Sequence, residues 1–180
     1  MNNKRNMKRV FWMATAAALL SLAAAANGGS APASVTITAS VESFAEWDEA
    51  SPTIIADDWS GHINAVNQTR TVTKGLALYS NVNTTLTPTA GANSGVLTNG
   101  SETLSTSYKI TGDVGTPDPA YKPAGTGVGE FFNVGNTYSV THTPGDGSYA
   151  IDFSVQAVSP DNKAPDSGDY TCGVTLTASW

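Results

Sequence analysis

The last twelve residues, Asp169–Trp180, read DYTCGVTLTASW, and they alternate. Tyr170, Cys172, Val174, Leu176, Ala178 and Trp180 are apolar or small, and Thr171, Gly173, Thr175, Thr177 and Ser179 stand between them. A period of two sends the two sets to opposite faces of a strand, whereas a helix needs a period near 3.6. The stretch is therefore a half-buried strand whose apolar face demands a cover. It runs to the final residue, and it holds the single cysteine of the chain.

The same period recurs upstream. In SVTITASV, residues 34–41, Val35, Ile37, Ala39 and Val41 alternate with Thr36, Thr38 and Ser40. SYAIDFSVQAV (148–158) and TYSVTH (137–142) repeat the pattern. Shorter strand candidates lie at 52–57, 69–73, 76–79, 82–87, 95–98 and 104–111. Residues 112–129 are punctuated by Gly and Pro and predict a long loop, TPGDG (143–147) a turn, and the Pro- and Asp-rich 159–169 another loop. Only VESFAEWDEA (41–50) offers a helical turn or two. Many short strands, each with one apolar and one Thr/Ser face, predict an all-β antiparallel sandwich closed on one core.

The N-terminus predicts export. MNNKRNMKRV carries Lys4, Arg5, Lys8 and Arg9, FWMATAAALLSLAAAA follows, and Ala24-Ala25-Ala26 fits a small-x-small cleavage site. That order is a secretory signal peptide at residues 1–26. The competing reading is a membrane anchor, but the run is Ala-rich and short of the roughly 20 strongly apolar residues a span prefers. A second cleavage point follows Ala33 in APAS. Residues 27–180, about 154 in number, suit one domain. With the leader's four basic residues removed, five basic residues face fifteen acidic ones, a net −10 in place of −6. Five scattered cations exclude nucleic-acid and anionic-lipid binding as the primary role. After cleavage no membrane span remains, and the protein is expected to be secreted to the extracellular surface.

One cysteine makes no internal disulfide. Cys172 reads as a small buried hydrophobe, with an intermolecular bridge or a reactive thiol as the alternatives. Signals for chemistry are absent. His62 and His142 are far apart and lack further ligands at metal spacing. No Ser sits in a Gly-x-Ser-x-Gly elbow. Cys172 lies mid-strand, without the helix terminus that activates a thiol. The carboxylates at Glu42, Glu46, Asp48 and Glu49, at Asp57 and Asp58, and at Asp161, Asp166 and Asp169 read as solvated loops and match no EF-hand. GTGVGE (125–130) lacks the Lys of a phosphate loop. The expectation is a protein with no catalytic residues, no metal and no cofactor. Trp47, Trp59, Tyr79, Tyr108 and Tyr121 read as core packing, with sugar stacking as the alternative.

Two stretches together, VTITASV after the leader and SGDYTCGVTLTASW at the end, resemble the pilins of the alpha-type chaperone–usher pathway, the colonisation-factor fimbriae, and the related exported proteins of spore-coat-U type. The likeness covers about twenty residues plus a Thr/Asn-rich sandwich character between them. Cys172 and the stop at Trp180 depart from the pattern. The resemblance implies an immunoglobulin-like fold lacking its final strand, completed first by a periplasmic chaperone and then by the N-terminal strand of the next subunit at an usher. It makes Val35, Ile37, Ala39 and Val41 the donor strand's plugs. It makes Tyr170, Cys172, Val174, Leu176, Ala178 and Trp180 one wall of the acceptor groove and the chaperone's target. The function it implies is a structural subunit of a surface fibre or coat. The alternative is a monomeric secreted module that binds carbohydrate.

Overall fold

A computed structural model describes residues 36–55 and 58–180. Among these no α-helix forms; the chain makes eight strands in two antiparallel sheets. They are β1 (Ala45–Trp47), β2 (Thr69–Ser80), β3 (Thr84–Ala90), β4 (Ser105–Gly112), β5 (Lys122–Pro123), β6 (Tyr138–Val140), β7 (Ser148–Val158) and β8 (Val174–Ser179). One sheet has the order β1-β2-β7-β4-β5 and the other β6-β3-β8. The all-β, sandwich-like expectation holds. All eight strands lie in a compact body, Ser43–Trp180.

The spine of the larger sheet is the pair β2 and β7, in register from Thr69 opposite Val158 to Tyr79 opposite Ser148. Val72 and Leu78 on β2, Tyr108 and Ile110 on β4, and Ile151 and Val155 on β7 alternate with polar residues and turn inward. They meet Leu86, Tyr138 and Val140 of the smaller sheet, with Phe131 and Phe132 filling the space between. Phe131 stacks at 5.0 Å on Tyr108 and lies 5.2 Å edge-on to Phe132. Gly95 completes this packing. Its φ is +73°, and a Cβ there would sit 2.4 Å from the Phe132 ring, so no other residue fits without displacing the aromatic cluster.

Pro88 sits in β3, the middle strand of its sheet, where a missing N–H would normally break a ladder. The register explains it. Gly91 N–H donates to Gly173 O at 2.9 Å, so odd residues of β3 face β8 and even ones face β6. β6 pairs only with Thr84–Leu86. The side of Pro88 that lacks a donor therefore lies beyond the end of β6, where no N–H is needed.

Several strand boundaries differ from the sequence reading. The runs at 69–73 and 76–79 are one strand, continued through Gly75. The expected helical turn at 41–50 is replaced by β1, because Ala45 and Trp47 pack on the core at a spacing of two while Glu46 faces water. Residues 52–55 make no strand; Asp58 Oδ2 accepts from Ile55 N–H at 2.8 Å and closes a turn there instead. The loop at 112–129 contains the short β5. Of the expected N-terminal strand at 34–41, residues 36–41 belong to no ladder among the described residues and carry no regular structure. Alternation supplies a strand's two faces, but a strand needs a neighbour to exist. Val35 and the leader at 1–26 lie outside the described residues.

Candidate functional site

Among the described residues β8 is an edge strand, bonded to β3 alone. The register that explains Pro88 also fixes which groups β8 leaves open. Its odd residues, Thr175, Thr177 and Ser179, turn their backbone groups to β3 and their side chains to water. Its even residues, Val174, Leu176 and Ala178, turn their side chains to the main core and their N–H and C=O groups to the free edge. Three donor–acceptor pairs thus stand in a row beside the apolar face.

An open groove of about 1150 Å³ runs along that edge. Cys172, Val174 and Leu176 form one wall, Phe153, Val155 and Ala157 of β7 the floor, and Trp47, Ile54, Trp59 and Ile63 the facing wall. At the Ala157 end a second small core of Leu97, Leu104 and Ala157 gathers Trp59, Ile63, Tyr170 and Cys172 around it. Lys74 reaches the groove from the inner face of β2 and pairs with Glu49 at 3.6 Å. The volume exceeds the roughly 300–1,000 Å³ of small-molecule clefts, and its lining includes Val174, Thr175 and Leu176 of β8.

The predicted twelve-residue strand is shorter than its alternation. Gly173 interrupts it: its backbone passes so near Ala92 that a Cβ would lie 2.8 Å from the Ala92 nitrogen. Beyond this crossing Thr171 forms an isolated bridge with Thr98. Tyr170 and Cys172 therefore join the second core, Val174, Leu176 and Ala178 join the first, and Trp180 lies past the strand, 63% exposed. Of the predicted wall, Tyr170, Cys172, Val174 and Leu176 line the groove. Of the predicted donor residues, Ile37 and Val41 are 80% and 79% exposed, and Ala39 is exposed as well.

Cys172 is half-buried, and its Sγ lies 3.3 Å from the Tyr108 hydroxyl, which also donates to Gly95 O. Burial pushes the thiol pKa above its ordinary value, partly offset by the Tyr108 hydrogen bond. Burial raises the Tyr108 phenol strongly, and the neighbouring Cys172 adds to it. Both stay protonated at neutral pH, so the groove wall is uncharged here and the thiol is a poor nucleophile.

Two carboxylates have positions that the sequence did not disclose. Asp118 is buried in the 112–129 loop. Its Oδ2 accepts from Ile110 N–H at 2.9 Å and from the Tyr138 hydroxyl at 2.6 Å, and Lys122 Nζ lies 2.6 Å from Oδ1. Burial, followed by this Asp118 contact, raises the Tyr138 phenol. Glu102 is the second, at the groove's end. Neither stands out by spacing; each is a lone acid among turn residues.

Among the described residues no group of three His, Cys, Asp or Glu side chains could hold a metal. His142 Nδ1 lies 2.9 Å from the Tyr149 hydroxyl, and His62 contributes only its carbonyl, to Arg70. Among the described residues no helix is long and apolar enough to cross a membrane. No family model, curated protein or solved structure matches the chain.

Proposed function

We propose that the protein is a structural subunit of an extracellular fibre or surface coat, assembled by strand addition. Residues 34–41 of one copy enter the groove of the next and pair with the free edge of β8. The observation that carries this reading is the coincidence, on β8, of a free hydrogen-bonding edge with an inward apolar row over an open groove. An edge like this is an aggregation hazard unless something covers it. Strand addition uses it: backbone bonds give affinity and alternate side chains give specificity. The complement is in the same chain, since Val35, Ile37, Ala39 and Val41 alternate as plugs. Burying each large plug contributes roughly 1.5–3 kcal/mol. A head-to-tail contact whose rotation does not close makes a filament. The body is then an immunoglobulin-like sandwich short of one strand, exported behind residues 1–26, with a periplasmic chaperone and usher as partners in transit.

A second reading has one observation in its favour: Trp47 and Trp59 both line the groove, and indole faces stack on sugars. A monomeric carbohydrate-binding module would use them. One pair of variants separates the two. Ile37→Asp abolishes fibres while leaving the circular dichroism of the subunit unchanged; Thr38→Asp, facing the other way, leaves fibres intact. Fibres of normal length from Ile37→Asp overturn strand addition through residues 34–41.

A further inference from the structure

The segment joining β7 to β8 borders the groove. Pro165–Tyr170 line the end beside Ala157 and Cys172. Apart from half-buried Pro165, residues 161–169 are exposed, so packing does little to hold them there. Their polar contacts converge on one carboxylate. Asp166 N–H donates to Glu102 Oε2 at 2.7 Å, and Lys163 Nζ pairs with Glu102 Oε1. The Tyr170 hydroxyl lies 2.9 Å from the same Oε2 and 3.2 Å from Asp166 O. Among the described residues no other hydrogen bond or ion pair ties 161–169 to the rest of the body.

Glu102 itself is a fixed post. Its N–H donates to Asn99 Oδ1 at 2.9 Å, its C=O accepts from Thr98 Oγ1 at 2.7 Å, and Leu104 N–H closes the turn on Leu97 O. Its side chain is only 11% exposed. A hydrogen-bonded turn thus presents one mostly covered carboxylate to an otherwise loosely held segment.

We propose that Glu102 is a positioning residue that straps residues 161–169 across the end of the groove, and that a strand entering beside β8 must lift this strap. The proposal rests on the strand-acceptor reading. Length makes the encounter unavoidable in one direction of overrun: eight paired residues span about 27 Å, whereas the six of β8 span about 20 Å. A partner that covers all of β8 and continues past Val174 runs onto Cys172 and the strap. A strand seated there keeps the strap lifted, so the strap slows entry and weakens binding, while exit from the lifted state changes little.

The test uses the full chain carrying Ile37→Asp, so that no neighbour's strand competes, and a fluorescent peptide copying residues 34–42. Association and dissociation rates are read by anisotropy, and protection of Cys172 from alkylation reports that the peptide lies in the groove. Glu102→Ala is expected to raise the association rate and the affinity about tenfold, with the dissociation rate changed less than threefold. Glu102→Gln, which keeps an acceptor for Asp166 N–H, is expected to fall between Glu102→Ala and the parent. Should circular dichroism show Glu102→Ala unfolded, the exposed Lys163→Met carries the test, with association rate and affinity rising about threefold. Binding at parental rates in the folded variants overturns the strap and leaves the strand-acceptor reading standing. Absence of binding and of Cys172 protection in every variant overturns both.

Discussion

β7 and β8 are written in the same alternating code, yet they meet different surroundings. β7 is bonded to β2 on one edge and β4 on the other, and Tyr149, Ile151, Val155 and Ala157 are buried. Among the described residues β8 is bonded to β3 alone, and its inward residues Val174, Leu176 and Ala178 are only half-buried. Alternation states which residues share a face. It does not state whether a strand has one neighbour or two, nor whether its face is covered. The difference between the two strands is the difference between a core element and an interface.

The largest effect that tests this contrast is a matched pair of truncations. Ile151→Ala removes a fully buried side chain and is expected to cost about 2–5 kcal/mol of stability. Leu176→Ala, half-exposed to the groove, is expected to cost about 1 kcal/mol in the free subunit. Urea unfolding checks both. Adding the 34–42 peptide should reverse the contrast in binding: Leu176→Ala weakens the peptide about tenfold, which corresponds to about 1.4 kcal/mol, while a folded Ile151 variant does not. Equal stability losses in the free subunit would mean that the β8 face is already covered.

A smaller effect comes from pH. Cys172, Tyr108 and Tyr138 all have pKa values raised in the folded chain, chiefly by burial. The unfolded chain therefore loses these protons first, and the stability tied to them is complete below the ordinary pKa values and declines as pH rises through the folded ones. The urea midpoint should fall from about pH 9 upward, where free thiols and then phenols ionise. Tyr108→Phe and Tyr138→Phe should flatten that fall more than Cys172→Ala, because both phenols are fully buried and the thiol is half-exposed. An unchanged alkaline profile in the phenylalanine variants would place the loss elsewhere.

Much of the body was legible because its strands carry their own pattern. The β7 boundaries are those of the alternation in 148–158. Three features were not legible, each for a physical reason. The break in 170–180 comes from Gly173 crossing close to Ala92, a contact made across some eighty residues of sequence. β1 was hidden because three residues are too few to show a period. The groove's floor and far wall draw on Trp47, Ile54, Trp59, Phe153 and Ala157, which read as ordinary core residues; only the unpaired edge of β8 distinguishes them, and pairing is a property of topology. Asp118, buried, and Glu102, partly buried, escaped notice because a single acid has no spacing to betray it.

Strand addition is tested most directly by chemistry at the one native thiol. Cys172 lines the groove, so a second cysteine on the entering strand of a neighbouring copy can come within disulfide reach of it. Single substitutions Val35→Cys, Ile37→Cys, Ala39→Cys and Val41→Cys, with Thr36→Cys and Thr38→Cys as outward-facing controls, are oxidised on surface-assembled material and run on a non-reducing gel. A ladder of covalent multimers from at least one odd position, and none from the even ones, is the expected result. No ladder from any odd position, or equal ladders from odd and even positions, would contradict insertion of residues 34–41 beside β8.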